Sequence, residues 1–210
     1  MKLNWAERWV VNNPSRIVEQ RLQMRWFKKK AALAAGGTIL EIGCGRGAGA
    51  RLILEHFQPA VLHAMDLDIE MIRKAGKYLP VSQRKLISMY AADVTHLPCR
   101  DESFDAVFGF GVLHHVPDWR GALTEISRVL KTGGVYCLEE IYPFVYQNFI
   151  TKHILLHPRE DRFFSRDIKE GLDGANLTIR DVLEAKYLGL LGVFVKTHSQ
   201  GTSSASKNIP

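Results

Sequence analysis

Apolar residues recur along the chain in short runs, parted by longer stretches in which they return at helical spacing. Thr38-Ile39-Leu40-Glu41-Ile42 predicts a first strand, and the glycine loop after it opens a helix reaching about Phe57. Further strands are expected over Ala60 to Met65 (ending at Asp66), Leu86 to Ala91, Ala106 to Phe110 and Val135 to Glu139. Helices are expected over Ile69 to Tyr78 and Ala122 to Leu130. A further helix, of about residues 15–35, precedes them all. Asn13 or Ser15 caps it and Gly36-Gly37 stops it. Val18, Leu22 and Trp26 return at every fourth position and predict its apolar stripe.

Short apolar strands separated by helical segments are the pattern of a parallel sheet with crossover helices. Right-handed crossovers then make an open, doubly wound α/β sheet the expected architecture. The end of the chain breaks the pattern. Thr178 to Tyr187 and Gly192 to Thr197 read as strands joined by Leu188 to Leu191, a link too short for a crossover, so the pair is antiparallel.

A length of 210 residues suits one α/β domain. The boundaries expected are an N-terminal helical cap or lid over 1–36, a main domain over 37–198 and a disordered, small and polar tail over 199–210. No apolar run reaches the length of a membrane span, and the first residues lack a signal core. Cys44, Cys99 and Cys137 show neither disulfide nor zinc spacing, so no metal is expected and a cytoplasmic location is. Charge is unevenly placed. Residues 1–36 hold eight Lys or Arg against two Glu, which accounts for the whole net charge of +6. Such a segment attracts nucleic acid, anionic lipid or an acidic ligand, or is a solvated helix face.

The chemistry begins at Gly43-Cys44-Gly45-Arg46-Gly47, where three glycines follow the first strand. They let the backbone turn sharply and approach a ligand closely. Asp66 ends the second strand, beside that loop in a doubly wound sheet, where a carboxylate can accept from ribose hydroxyls. Asp93, just past the third strand, can accept from the amine of adenine. The fourth strand runs into Gly111-Val112-Leu113-His114-His115, beside the glycine turn.

In these stretches the chain resembles the class I S-adenosylmethionine-dependent methyltransferases. It is most similar to the small-molecule branch that includes ubiquinone and menaquinone biosynthesis enzymes. Leu40–Gly47, Asp66–Asp68, Ala92–Pro98, Phe104–Asp118 and Arg128–Gly134 occur in the family's order. The resemblance implies a Rossmann-like, mostly parallel seven-stranded sheet with a C-terminal antiparallel hairpin, and S-adenosyl-L-methionine as cofactor. It also implies roles. Glu41 orients the loop and the methionine amino group, and Gly43, Gly45 and Gly47 bring backbone against the cofactor. Asp66 holds the ribose, Leu67 packs on adenine, Asp93 and Val94 contact adenine, and a carbonyl near Gly111 meets the amino group.

Glu41, just before the glycines, suits an ammonium and a sulfonium better than a diphosphate. The glycine after Gly45 is Gly47, with Ala at 48, which departs from the dinucleotide pattern of a nicotinamide oxidoreductase. If the acceptor needs a base, His114, His115 and Glu139 are the candidates, the first two because imidazole is the side chain whose unperturbed titration falls nearest neutrality. Glu139 and Glu140 alternate on one strand, so one of them is expected to face the site. Aromatic and aliphatic residues between 141 and 176, including Tyr142, Phe149, Leu155 and Phe163, either line a pocket for a small apolar or aromatic acceptor or form the inner face of a helix packed on the sheet. Trp5 and Trp9 are candidate lid residues. The alternatives are an RNA methyltransferase using the basic N-terminal segment and a non-catalytic S-adenosylmethionine-binding protein.

Overall fold

The computed structural model describes residues 14–146 and 162–198. At the centre is a seven-stranded sheet. Its first strand, β1 (Thr38–Ile42), is flanked on one side by β2 (Val61–Asp66) and then β3 (Ile87–Ala91), all parallel. On the other side lie β4 (Phe104–Phe110) and β5 (Leu130–Ile141), also parallel. The last two strands, β6 (Leu177–Ala185) and β7 (Gly189–Lys196), pair antiparallel, with β7 also antiparallel to β5. The order is β3-β2-β1-β4-β5-β7-β6. The chain leaves β1 toward one edge and returns to it at β4. In doubly wound sheets such a reversal, at the strands' C-terminal ends, is the ligand position.

Helices cover both faces. They are α1 (Pro14–Lys30), α2 (Ala48–Phe57), α3 (Ile69–Tyr78), the short α4 (Val81–Arg84), α5 (Trp119–Val129), the short α6 (Pro143–Tyr146) and α7 (Ser165–Gly174). Strand alternation divides the core in two. On β5, Val135 and Cys137 join the cluster containing Phe57, Phe108, Met24 and Phe27, while Tyr136 and Leu138 join the one containing Trp119, Leu123 and Phe163. Each large side chain removed from water in this way contributes about 1.5–3 kcal/mol before entropy is counted. Among the described residues no helix is long and apolar enough to cross a membrane.

The structure corrects three expectations, the first being that α1 ends at Lys30 rather than at about residue 35. The buried line of α1 is Gln20, Met24, Phe27 and, just past its end, Ala31, whereas Val18 and Leu22 are 58% and 60% exposed. Phe27 decides the rotation, because its ring meets Phe108 and Phe110 edge-on at 5.9 and 6.1 Å. The final hairpin also turns earlier than expected. Leu188 N donates to Ala185 O at 2.9 Å, so Leu190 and Leu191 sit in β7 opposite Glu140 and Glu139. Trp5, Trp9, Phe149, Ile150, Leu155, Leu156 and the tail 199–210 lie outside the described residues.

Candidate functional site

The glycine turn follows β1 directly. Gly43, Gly45 and Gly47 have φ of +62°, +52° and +89°, the left-handed region that disfavours a side chain. The first two differ in their surroundings. A Cβ on Gly43 would lie 2.5 Å from Val112 Cγ2, whereas one on Gly45 would meet nothing within 4 Å. Gly43 is needed for packing; Gly45 faces open space.

Two acids stand behind this turn. Asp66 Oδ2 accepts from Gly45 N and Oδ1 accepts from Asp68 N, both at 2.9 Å. Burial pushes its pKa up against these two hydrogen bonds. Glu41 is only 2% exposed, and its Oε2 has no hydrogen-bond partner among the described residues. Burial first, and the charge of Asp66 second, hold the Glu41 pKa well above the ordinary carboxylate range. Room for its side chain comes from Gly49, where a Cβ would fall 2.0 Å from Glu41 Oε1. Gly49 is a residue that the sequence reading missed, although its glycine in the first turn of a helix was a signal.

Leu67 is 45% exposed beside Asp66. Asp66 pairs with Ala91 across β2 and β3, so Asp93 lies two residues past the adjoining strand end. Its Oδ1 accepts from Thr95 N at 2.9 Å and Thr95 Oγ1 at 2.8 Å, and the Thr95 backbone bond holds its pKa low. Val94 is buried in the core.

Glu139 and Glu140 bracket the loop after β4 from opposite faces of the sheet. Glu140 Oε1 accepts from Val112 N at 2.8 Å and Leu113 N at 2.6 Å, and its Oε2 lies 2.6 Å from His114 Nδ1. Both side chains are buried. The His114 ring lies 4.1 Å from that of His115 and stacks at 5.3 Å on Tyr146. Across the sheet, Glu139 accepts from Arg16 Nη1 and Nη2 at 3.2 and 2.5 Å. Burial raises the Glu139 pKa, with Arg16 opposing. These groups converge on one glycine. A Cβ on Gly111 would lie 3.4 Å from His114 Cε1, 3.6 Å from Arg16 Nη2 and 3.7 Å from Glu139 Oε2. Sequence reasoning missed Arg16, because a cation 123 residues from its partner gives no local signal.

Residues 40–138 match the model of the family described as methyltransferase domain. The demethylmenaquinone methyltransferase of Lactiplantibacillus plantarum is 31% identical over 169 residues, 73% of this chain and 69% of that protein. The chain belongs to the S-adenosylmethionine-dependent methyltransferases. A second methyltransferase, the fatty-acid O-methyltransferase of Mycolicibacterium smegmatis, is 30% identical over 125 residues, 59% of this chain. The chain spans 44% of that relative's length. The fold is shared with an S-adenosylmethionine-dependent methyltransferase structure from Aquifex aeolicus. It has a TM-score of 0.72 at 18% identity, over 93% of this chain and 100% of that one.

S-adenosylmethionine is the cofactor of these methyltransferases, and the residues present fit it. A buried carboxyl oxygen lacking a partner suits an ammonium donor, since leaving it unmet costs roughly 1–3 kcal/mol. The turn is backed by two acids, Glu41 and Asp66, an acceptor set suited to a cation bearing hydroxyls.

Proposed function

We propose that this methyltransferase transfers the methyl group of S-adenosylmethionine to a small, apolar, lipid- or quinone-like acceptor. The observation that carries the cofactor half is the unpartnered Glu41 oxygen behind the open Gly45 turn. The acceptor half is supported by relatives named for a fatty acid and a demethylmenaquinone.

When bound, S-adenosylmethionine supplies a methyl group already activated by its sulfonium, so the protein's work is alignment and exclusion of water. Glu41 accepts from the amino group of the methionine part. Gly43, Gly45 and Gly47 bring backbone to the ligand without a Cβ intervening, and the carbonyl side of Gly111 closes the same end. Asp66 accepts from the ribose hydroxyls, Leu67 covers the adenine, and Asp93 and Val94 meet its edge.

A base is needed only for an acceptor that carries a proton on the attacking atom. His114 is assigned that role. With Nδ1–H donated to Glu140, Nε2 is the ring nitrogen that takes up a proton. His115 is the neighbouring imidazole that can relay it. Glu139 is assigned to positioning, since its oxygens are engaged by Arg16. Residues 37–198 carry these groups, and the part of 1–36 formed by α1 supplies Arg16.

Calorimetric titration with S-adenosylmethionine, followed by transfer of labelled methyl to a fatty acid, a demethylated quinone and RNA, tests this reading. Saturable binding and labelling of an apolar acceptor are expected. No binding at millimolar cofactor, or labelling of RNA alone, would overturn it.

A further inference from the structure

Apart from Arg16, the basic N-terminal segment has no task in this mechanism. Its described part, α1, has two opposed lines of side chains. Gln20, Met24, Phe27 and Ala31, at i, i+4, i+7 and i+11, face the body. Val18, Leu22, Arg25 and Lys29 follow the same spacing two residues earlier at the start and end, about 200° away on a helix of 3.6 residues per turn. All four are exposed, as is Arg21 beside them.

Other cations of α1 are engaged: Arg16 by Glu139, Lys30 by Asp181 at 2.7 Å, and Lys28 by the ring of Phe57 at 5.1 Å. Arg21, Arg25 and Lys29 make no ion pair among the described residues. The rest of the chain past residue 36 is balanced, with 20 basic and 20 acidic residues. The excess positive charge of the described structure is therefore turned away from the body, interleaved with two exposed aliphatic side chains.

We infer that the outer face of α1 docks on an anionic lipid surface. Charge alone would serve a phosphate backbone equally well. Val18 and Leu22 separate the two, because aliphatic side chains gain by leaving water for the acyl boundary and gain little against phosphates. The placement gives the docking a purpose, which rests on the proposed lipid-like acceptor. Arg16, in the first turn of α1, is bonded to Glu139 beside Gly111, so the docked helix borders the site. An acceptor dissolved in the bilayer then reaches the site by a short path.

Vesicle flotation of the full chain tests the inference, with mixed phosphatidylglycerol–phosphatidylcholine vesicles against pure phosphatidylcholine. Binding to the anionic vesicles, weakened by added salt, is expected. Arg21→Ala/Arg25→Ala/Lys29→Ala should weaken it by roughly a hundredfold, at about fivefold for each basic residue lost near the surface. Val18→Ser/Leu22→Ser should also weaken it, and both variants should keep S-adenosylmethionine affinity and thermal midpoint. Absence of binding, binding indifferent to vesicle charge, or binding unchanged in the serine variant overturns the inference. Retention of an RNA oligonucleotide on the same stripe without vesicle binding overturns it in favour of nucleic acid. If a variant fails to fold, the salt titration of the parent decides, and salt-insensitive binding overturns the idea. The cofactor titration is scored separately, so a protein that binds cofactor and ignores vesicles leaves the proposed function standing.

Discussion

Arg16 and Glu139 form a two-pronged ion pair, with bonds of 3.2 and 2.5 Å between residues 123 positions apart in sequence. The pair ties the first turn of α1 to the end of β5. Glu139 is buried, so removing its cation strands an acid away from water. Arg16→Ala should destabilise the protein by about 3 kcal/mol near neutral pH. The sign of the pH dependence follows from Glu139, whose folded pKa is already raised by burial and rises further without Arg16. The loss should therefore shrink as pH falls toward the ordinary carboxylate range, where the stranded acid becomes neutral. Urea denaturation at two pH values checks this. A companion Arg16→Met/Glu139→Gln variant should recover part of the stability.

Glu41 makes a second pH-dependent prediction. Its folded pKa lies above its unfolded one, so the native state holds the extra proton. Its contribution is fully present below the unfolded value of about 4.3 and is lost as pH rises through the folded pKa. An amino group arriving at Oε2 favours the charged form and so expels a proton. Cofactor affinity should rise with pH across that window, and the binding heat should depend on the ionisation enthalpy of the buffer. Glu41→Gln should remove both effects and weaken binding, while leaving the free protein no less stable at neutral pH. Buffer-independent heats would show that Glu41 does not meet the ligand's charge.

The extent to which this site was legible in the sequence follows the range of each signal. Ile39 to Gly47 is a local pattern, strand then turn then helix, and the structure places β1 over Thr38–Ile42 as the spacing predicts. The place of Asp66, at the end of β2 and bonded to the Gly45 turn, was legible because a strand end is a local signal and consecutive parallel strands commonly lie side by side. The rotation of α1 was not. Val18, Leu22 and Trp26 have the periodicity of a buried stripe, but Phe27 reaches Phe108 and Phe110, which are distant in sequence. Glu139 and Glu140 were recognisable as alternating on a strand. That each face holds the same loop, one through Arg16 and one through His114, depends on tertiary contacts that no short window contains.

The glycines of the turn should separate packing from binding. Gly43→Ala places a Cβ against Val112 and strains a positive φ, so it should cost stability by about 2 kcal/mol or more. Gly45→Ala meets no protein atom within 4 Å, so its cost should be limited to about 1–2 kcal/mol of backbone strain. Its Cβ instead enters the space assigned to the ligand. Gly45→Ala should therefore lower S-adenosylmethionine affinity by more than its stability loss accounts for. Thermal melts with and without cofactor distinguish the two variants.

Asp66→Ala removes the acceptor for Gly45 N and Asp68 N together with the proposed ribose partner. An affinity loss of about 1–3 kcal/mol is expected, the scale of a buried hydrogen-bonded group left unmet. Asp66→Asn keeps one acceptor for the turn and should hold the fold while recovering only part of the affinity. Equal cofactor affinity in all three proteins would remove Asp66 from the binding set.

Glu140 is a positioning residue in this account, and its test depends on tautomer. Glu140→Gln keeps an oxygen for Val112 N and Leu113 N, and sets an amide N–H against His114 Nδ1. The ring is then driven to accept at Nδ1 and to carry its proton on Nε2, where it can no longer act as a base. An acceptor whose nucleophile is a phenol or alcohol should lose about 10²–10⁴ in single-turnover methyl transfer, the range of general base catalysis. A carboxylate acceptor is already ionised and needs no base. The variant should methylate it at nearly the parental rate, with cofactor affinity unchanged. His114→Asn should reproduce the split between acceptors. An equal fall for both acceptor types would mean that Glu140 only supports the loop, and the assignment of His114 as base would be abandoned.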